Sequence, residues 1–407
     1  MKKISSVGSL LSPDIHVPSG FNFSSAKAGI KASGNLDLAM VEIPDSGNAA
    51  AMFTRNLVVA APVVVGRKNL QSSRGRVRAL IVNSGNANCA TGAAGRKACD
   101  AVCKATAQAL GTPVAQVIPS STGIIGVPFP TEKILAALPD LIAGKRPDPD
   151  AAMTFARAIM TTDTRPKFAS SAFQVKGKEV ALLGIAKGAG MIHPDMATML
   201  VYLFTDLDAS PRELQKSLRM AVDNSLNCIS IDGDTSTNDT VLLMASGSSG
   251  VTFAKGGKEF SAALQAVCQS LAEQIIGDGE GVKHVVHLQI EEARTREEAM
   301  RIARTIAHSA LVKTAWAGAD PNWGRMLAAM GRSGVTLDPG KVDIYLGEQR
   351  VCRKGMAHPF DATSAHEYLQ QPSYEIRIVL RRGKSNLRFL TCDLTAEYVH
   401  INADYST

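Results

Sequence analysis

The segment that decides the fold is Lys187-Gly188-Ala189-Gly190-Met191-Ile192-His193-Pro194-Asp195-Met196-Ala197-Thr198-Met199-Leu200, a glycine-rich loop that runs directly into an apolar stretch. Residues Met199 to Phe204 are all apolar, which predicts a buried strand. The glycines let the loop backbone take positions that a side chain would block. The sequence therefore predicts a tight loop that delivers the Ala197–Thr198 bond to the first residues of an inner strand.

Thr198 is a candidate N-terminal nucleophile. If the bond before it were cut, Thr198 would become an N-terminal residue with its α-amine beside its own hydroxyl. A free α-amine has a pKa of about 8, so its neutral form can serve as the general base for that hydroxyl. The competing interpretation is that Thr198 is an ordinary first residue of a strand, and the residues alone favour this second interpretation.

Other catalytic signatures are weak in this chain. Gly188-Ala189-Gly190 begins like a dinucleotide fingerprint, but it lacks the third glycine and precedes a predicted strand, and no Walker loop or Gly-x-Ser-x-Gly elbow is present. His193 is a lone candidate base. His284 and His287 are predicted to point to opposite faces of a strand, which favours structural histidines over a metal site. We therefore expect no metal and no bound cofactor.

Composition limits the class of protein. The 407 residues carry a net charge of +7 without a basic tract, and aromatic residues make up only 5%, which argues against nucleic-acid binding. The seven cysteines form no CxxC pair, which is typical of reduced thiols in a cytosolic protein. The basic residues Lys2 and Lys3 are followed by Gly8 and Pro13 rather than by a signal-type apolar region. No apolar run has the length of a membrane span, so we expect a cytoplasmic protein without a membrane partner.

Helical and strand patterns alternate along the whole chain, which predicts an α/β class. Apolar residues at helical spacing predict helices over 98–110, 131–142, 151–160, 211–224, 260–276 and 296–311. Ser210 and Glu213 have the spacing of a capping box at the start of one of these helices. Short β-rich runs predict strands over 79–82, 180–185, 199–204, 241–244, 285–290, 342–346 and 375–380, and the polar Asn83–Asn88 stretch is predicted to be a loop.

The motifs, taken in order, resemble the ornithine acetyltransferase family, the glutamate N-acetyltransferases of cyclic arginine biosynthesis. Lys187–Leu200 matches the family's cleavage-site signature, and the resemblance extends over nearly the whole chain. The other matching blocks are Asn83–Asn88, Ser121–Gly126, Met160–Thr164, Asp232–Asp239, Gly277–Gly281, Gly318–Arg325 and Asn402–Thr407.

The resemblance implies an α/β fold with a four-layer αββα arrangement and a chain that cuts itself between Ala197 and Thr198. The products would be an α chain of residues 1–197 and a β chain of residues 198–407 that begins with the nucleophile. Family members assemble these chains as α2β2.

The resemblance also implies a ping-pong reaction. Thr198 accepts the acetyl group of N-acetylornithine and passes it to glutamate, and in bifunctional members acetyl-CoA is a further donor. Thr122 and Gly123 match the oxyanion donors. Lys187 and Glu280 match the charged substrate contacts. The remaining matches are Thr161 (with its neighbour Thr162 as the alternative), Asn402 and Thr407.

The common form of the cleavage motif has Ser or Ala at position 189 and Asn at position 195. This chain has Ala189, which is one of the two common residues, and Asp195 in place of Asn. An extra carboxylate three residues before Thr198 could change the rate of self-cleavage. Three alternatives remain open at this point. They are a monofunctional enzyme that cannot use acetyl-CoA, a self-cleaving aminopeptidase or amidohydrolase in which water accepts the acyl group, and a binding protein that keeps the fold without being cleaved.

Overall fold

The strand that follows the glycine-rich loop belongs to a large mixed sheet. The computed structural model describes residues 11–193 and 199–404. The strands of this sheet are β1 (Asn22–Ala26), β2 (Leu38–Phe53), β3 (Arg76–Asn86), β4 (Val117–Ile124), β5 (Lys167–Val175), β6 (Lys178–Lys187), β7 (Leu200–Thr205) and β8 (Thr240–Ala245). Their order is β4-β3-β2-β8-β7-β6-β5, and β1 joins by antiparallel pairing with β2.

β7 lies in the interior of this sheet. It pairs antiparallel with β6 and parallel with β8, and all six of its residues are buried. An apolar run that is buried on both faces is typical of an inner strand. The predicted strand over 199–204 is therefore confirmed, with its bounds shifted by one residue.

Helices cover both faces of the large sheet. They are α1 (Ala61–Ser72), α2 (Gly92–Leu110), α3 (Thr131–Ala143), α4 (Pro149–Ala158), α5 (Pro211–Asp223) and α6 (Phe253–Gly277). Val201 and Leu203 share one core cluster with residues of α5 and α6, whereas Tyr202 and Phe204 share another with Phe155 of α4. This alternation follows from the two-residue period of a strand.

The C-terminal part of the chain builds a second sheet. Its strands are β9 (Val285–Ala293), β10 (Asp343–Leu346), β11 (Gln349–Arg353), β12 (Met356–Ala357), β13 (Ser373–Val379) and β14 (Ser385–Cys392), in the order β12-β11-β10-β13-β9-β14. Its helices are α7 (Arg296–Ala307), α8 (Ala310–Ala317), α9 (Trp323–Gly331), α10 (Ala362–Leu369) and α11 (Ala396–Asp404). Trp316 and Phe389 lie in its core, and α6 packs against β14 and so joins the two sheets.

The predicted α/β class is confirmed, with helices packed against two sheets. The capping box is also confirmed, since Ser210 Oγ accepts from the Glu213 amide while the Ser210 amide donates to the Glu213 carboxylate. All seven cysteines are free and buried. None of the helices in residues 11–193 and 199–404 is both long and apolar enough to cross a membrane.

Two local predictions are wrong. The single helix predicted over 296–311 is two helices, α7 and α8, because the backbone leaves helical geometry at Ser309. The loop predicted over Asn83–Asn88 begins later, since β3 continues to Asn86. β3 stays paired in parallel with β4 up to the contact between Asn86 and Ile124. The Asn83 side chain also donates to the Asn86 carbonyl at 2.8 Å.

Candidate active site

A polar cavity of about 230 Å³ opens where the ends of β4 and β6 meet the loops around residues 161, 236 and 280. Six of the site residues predicted from the resemblance line it: Thr122, Gly123, Thr161, Lys187, Glu280 and Asn402. Thr162 lines it as well, so the choice between the two neighbouring threonines stays open. The six predicted residues come from five separate parts of the chain.

Three other predicted residues, Ala197, Thr198 and Thr407, lie outside the described residues. The chain on either side of 194–198 lies at the cavity. Gly190 and Met191 line it on one side, and Met199 lines an adjoining recess together with Thr122 and Lys187. Described residues on both sides of the predicted cleavage bond therefore lie beside the predicted substrate contacts.

Two aspartates hold the backbone on the two sides of this segment. Asp232 accepts hydrogen bonds from the amides of Met191 (2.6 Å) and Ile192 (3.0 Å). Asp239, which is buried, accepts from the Met199 amide at 3.0 Å, and the Met199 carbonyl accepts from the Thr240 amide. The residue that follows Thr198 is thus fixed before β7 begins.

The predicted oxyanion donors lie at the end of β4. Gly123 has a φ of +129°, and a Cβ at this position would lie 2.3 Å from the carbonyl carbon of Gly85, so only glycine fits. Asn238 supports this strand end from the other side, because its side-chain amide donates to the carbonyls of Ser121 (2.9 Å) and Ala87 (2.7 Å). A supported strand end that carries a hydroxyl, and whose backbone can approach a ligand closely at a glycine, can stabilise developing negative charge on a carbonyl oxygen.

The cavity carries one cation and one carboxylate from the predicted set. Lys187 is only 6% exposed, at the end of β6. The Glu280 amide donates to the Ala189 carbonyl at 2.9 Å, and its carboxylate accepts from the Asn402 side chain at 2.8 Å. Opposite charges on one small cavity suit a ligand that carries both a carboxylate and an ammonium group.

Sequence reasoning assigned no role to Asp232 and Tyr398, which also line the cavity. Burial raises the pKa of Asp232 to about 6, and the Tyr398 hydroxyl donates to its carboxylate at 3.4 Å. The polar run Asp232–Asp239 was an available signal, since eight mostly polar residues lead directly into the apolar strand β8. A polar run that leads into a buried strand indicates that its side chains line a cavity rather than form a surface loop.

The histidines considered as alternatives lie elsewhere. His193 does not line the cavity; its Nδ1 is 3.0 Å from Nε2 of His308, which also contacts Ser230 Oγ. His284 contacts the Gln371 carbonyl and His287 contacts the Ser373 hydroxyl. Within the part of the chain that the structure describes, no group of three or more His, Cys, Asp or Glu side chains is arranged to hold a metal ion.

An α/β fold whose cavity joins a buried lysine, a carboxylate and a strand end that contains a glycine of positive φ defines an enzyme that acts on a small charged metabolite. The chain belongs to the ArgJ family, whose model matches residues 22–407.

Named relatives agree with this family over almost the whole chain. The chain is 45% identical over 395 residues to the arginine biosynthesis bifunctional protein ArgJ of Methylococcus capsulatus, covering 95% of each chain. It is 44% identical over 410 residues to the protein of the same name from Dehalococcoides mccartyi, covering 99% of this chain and 100% of the relative. The crystal structure of the Bacillus halodurans ArgJ protein aligns with 51% of this chain and 100% of that chain, at 37% identity and a TM-score of 0.49.

Proposed function

We propose that this protein cuts itself before Thr198 and then moves an acetyl group from N-acetylornithine to glutamate through an acetyl-Thr198 intermediate. By the same route it makes N-acetylglutamate from acetyl-CoA, as the word bifunctional in the names of its relatives suggests. The observation that supports this proposal is the cavity, in which Lys187 and Glu280 lie with Gly190 and Met191, and its adjoining recess, in which Lys187 lies with Met199; these described residues precede and follow Thr198 in the chain.

Self-cleavage begins with attack of the Thr198 hydroxyl oxygen on the Ala197 carbonyl carbon. The peptide nitrogen leaves as the α-amine of Thr198, which gives an ester, and water then hydrolyses that ester. The products are chains of residues 1–197 and 198–407, which we propose to assemble as α2β2 in the cytoplasm. The bond from Met199 to Asp239 supports this step, because it holds the residue next to the nucleophile.

Acetyl transfer uses the same hydroxyl. Its oxygen bonds to the acetyl carbonyl carbon and its proton passes to the α-amine of Thr198, whose pKa of about 8 leaves a useful neutral fraction. The bond to the ornithine nitrogen then breaks, and that nitrogen takes the proton. The glutamate amine attacks the resulting ester in the second half-reaction and restores the Thr198 hydroxyl.

Substrate binding is assigned to the residues around the cavity. Lys187 pairs with the α-carboxylate that both amino acids carry, and Glu280, held by Asn402, pairs with the ammonium group of ornithine. Thr161 and Thr407 supply further polar contacts. Thr122 and Gly123 donate to the oxyanion of each tetrahedral intermediate.

Intact mass under denaturing conditions tests the cleavage step. Freshly purified wild type should separate into chains that end at Ala197 and begin at Thr198, whereas Thr198→Ala should remain a single chain of 407 residues. Wild type that stays whole would remove the N-terminal amine from the mechanism and would leave the binding-protein alternative.

Product analysis tests the acceptor. Wild type with N-acetylornithine and glutamate should form N-acetylglutamate and ornithine in equal amounts. Release of acetate with no dependence on glutamate would instead identify a hydrolase. Replacing N-acetylornithine with acetyl-CoA then separates the bifunctional from the monofunctional enzyme.

A further inference from the structure

A fully buried lysine is linked through two carboxylates to segments that line the cavity. Lys167, at the start of β5, has a side chain with no exposed surface. Its Nζ is 2.6 Å from Asp163 Oδ1 and 2.5 Å from Asp278 Oδ2, and both carboxylates are also buried. These three residues are called the Lys167 triad below.

Each carboxylate of the triad holds backbone that carries a predicted substrate contact. Asp163 accepts from the amide of Thr161 at 3.0 Å and from the amide of Gly188, next to Lys187, at 2.7 Å. Asp278 lies two residues before Glu280, and it accepts from both the amide and the hydroxyl of Thr164. One ammonium group therefore connects three segments that are far apart in sequence.

The charges of the triad are matched to its surroundings. Burial alone would raise the pKa of Asp163, but the positive charges of Lys187 and Lys167 lower it to about 2. Asp163 is therefore ionised at neutral pH and can hold both amides and the lysine at once. The Asp163 carboxylate thus interacts electrostatically with Lys187, which lines the cavity, and forms an ion pair with the buried Lys167.

Stability alone does not explain such an arrangement. The cost of removing three charges from water commonly equals or exceeds their mutual attraction, and apolar residues of similar volume are often at least as stable. A network of short charged contacts does fix distances between backbone segments, which apolar packing does not fix as closely.

We infer that the Lys167 triad is a positioning device that sets the spacing of Thr161, Lys187 and Glu280, and thereby the affinity for amino-acid substrates. The inference rests on the proposed function for the identity of those substrates. None of the triad residues lines the cavity, so they act through the residues that do.

Asp278→Asn is the main test, because it keeps the shape of the side chain and leaves Lys167 paired with Asp163. We expect the KM for N-acetylornithine and the Kd for ornithine to rise about tenfold or more, with kcat changed by less than about threefold, since the affected contacts hold ground state and transition state alike. Thr164→Val is a milder variant that leaves both ion pairs intact. It should change KM in the same direction by a smaller factor.

Asp343→Asn is the matched control. Asp343 is an equally buried carboxylate in the second sheet, where it accepts from the Lys354 amide and pairs with Arg381 at 2.6 Å. This variant should lower the melting temperature while KM and Kd stay at their wild-type values. Equal increases in KM for both variants, or a fall in melting temperature for Asp278→Asn with unchanged KM and Kd, would overturn the positioning role.

Ornithine binding, measured by titration calorimetry on the wild-type protein, separates this inference from the proposed function. Wild type that binds ornithine but transfers no acetyl group would refute the proposed reaction, and the Kd of Asp278→Asn would still decide the role of the triad. Wild type that binds no ornithine would overturn both.

Discussion

Gly190→Ala tests how closely the cavity is built around Glu280. A Cβ at Gly190 would lie 2.5 Å from Glu280 Oε2 and 2.6 Å from its Cδ, whereas real contacts of this kind are well above 3 Å. The backbone at Gly190 is not in the left-handed region, so alanine adds no backbone strain. The carboxylate must therefore move, while its backbone bond to Ala189 can stay.

The expected cost falls on substrate binding. Moving the carboxylate breaks its hydrogen bond to Asn402 and removes the charge-assisted hydrogen bond that we propose it accepts from the substrate ammonium, which is worth about 1.5–3 kcal/mol. That range corresponds to a rise of roughly 10- to 150-fold in the KM for N-acetylornithine. The free energy of unfolding should change by less than about 1 kcal/mol, because the displaced group is the far end of a flexible side chain and alanine restricts the unfolded chain.

Steady-state kinetics in the Glu280→Ala background provides the control. Once the carboxylate is absent, Gly190→Ala should have no further effect on KM, so the two substitutions should be non-additive. Additive effects on KM, or an unchanged KM in the single variant, would refute the assigned position of Glu280 at the substrate. Intact mass should show the same extent of self-cleavage in all variants.

Two further predictions concern the glycine at the end of β4 and the pH dependence of stability. Gly123→Ala should lower kcat by about 100-fold or more, since its Cβ would meet the Gly85 backbone. Gly126→Ala is the control for backbone strain, because its φ is also positive (+83°) while nothing lies within 4 Å of an added Cβ. Its kcat should stay close to that of the wild type, and equal losses of kcat in the two variants would contradict the role of Gly123. Burial, with the nearby charges of His193 and Lys313, lowers the pKa of His308 to about 3, below its unfolded value, so stability is lost as pH falls from about 6.5 toward 3. Urea unfolding of the uncleaved Thr198→Ala protein at pH 7.5 and pH 5 should show a loss of about 2 kcal/mol that the added substitution His308→Gln removes, and equal losses with and without His308→Gln would exclude His308 as the cause.

The sequence predicted best where one physical signal dominated. β7 is a continuous apolar run and α5 carries a complete capping box, and both appear where expected. β2 was missed although it is the longest strand in the described residues, with 16 residues. Its apolar pattern is interrupted by Pro44-Asp45-Ser46-Gly47, where the pairing with β3 shifts register. A bulge of this kind is set by the neighbouring strand, so local periodicity does not reveal it.

The candidate site was predictable only through whole motifs. Its residues come from distant segments that spacing rules do not connect, and the resemblance supplied Thr122, Lys187, Glu280 and Asn402 as one set. The Lys167 triad could not be predicted from the sequence, for a different reason. Asp163 and Lys167, four residues apart, look in sequence like an ordinary surface pair, and only the tertiary structure buries them against Asp278.

The strand order of the large sheet has a consequence for a chain that is cut before Thr198. β7 and β8 follow the cut, yet they lie between β2 and β6, which precede it. The two fragments would thus be interleaved within one hydrogen-bonded sheet, and separating them would mean opening two strand interfaces at once. Folding before the cut is a reaction of one molecule, whereas refolding after it would require two polypeptides to collide and would slow on dilution. The mature protein would therefore preserve an assembly that its separated fragments could regain only at a rate set by their concentration.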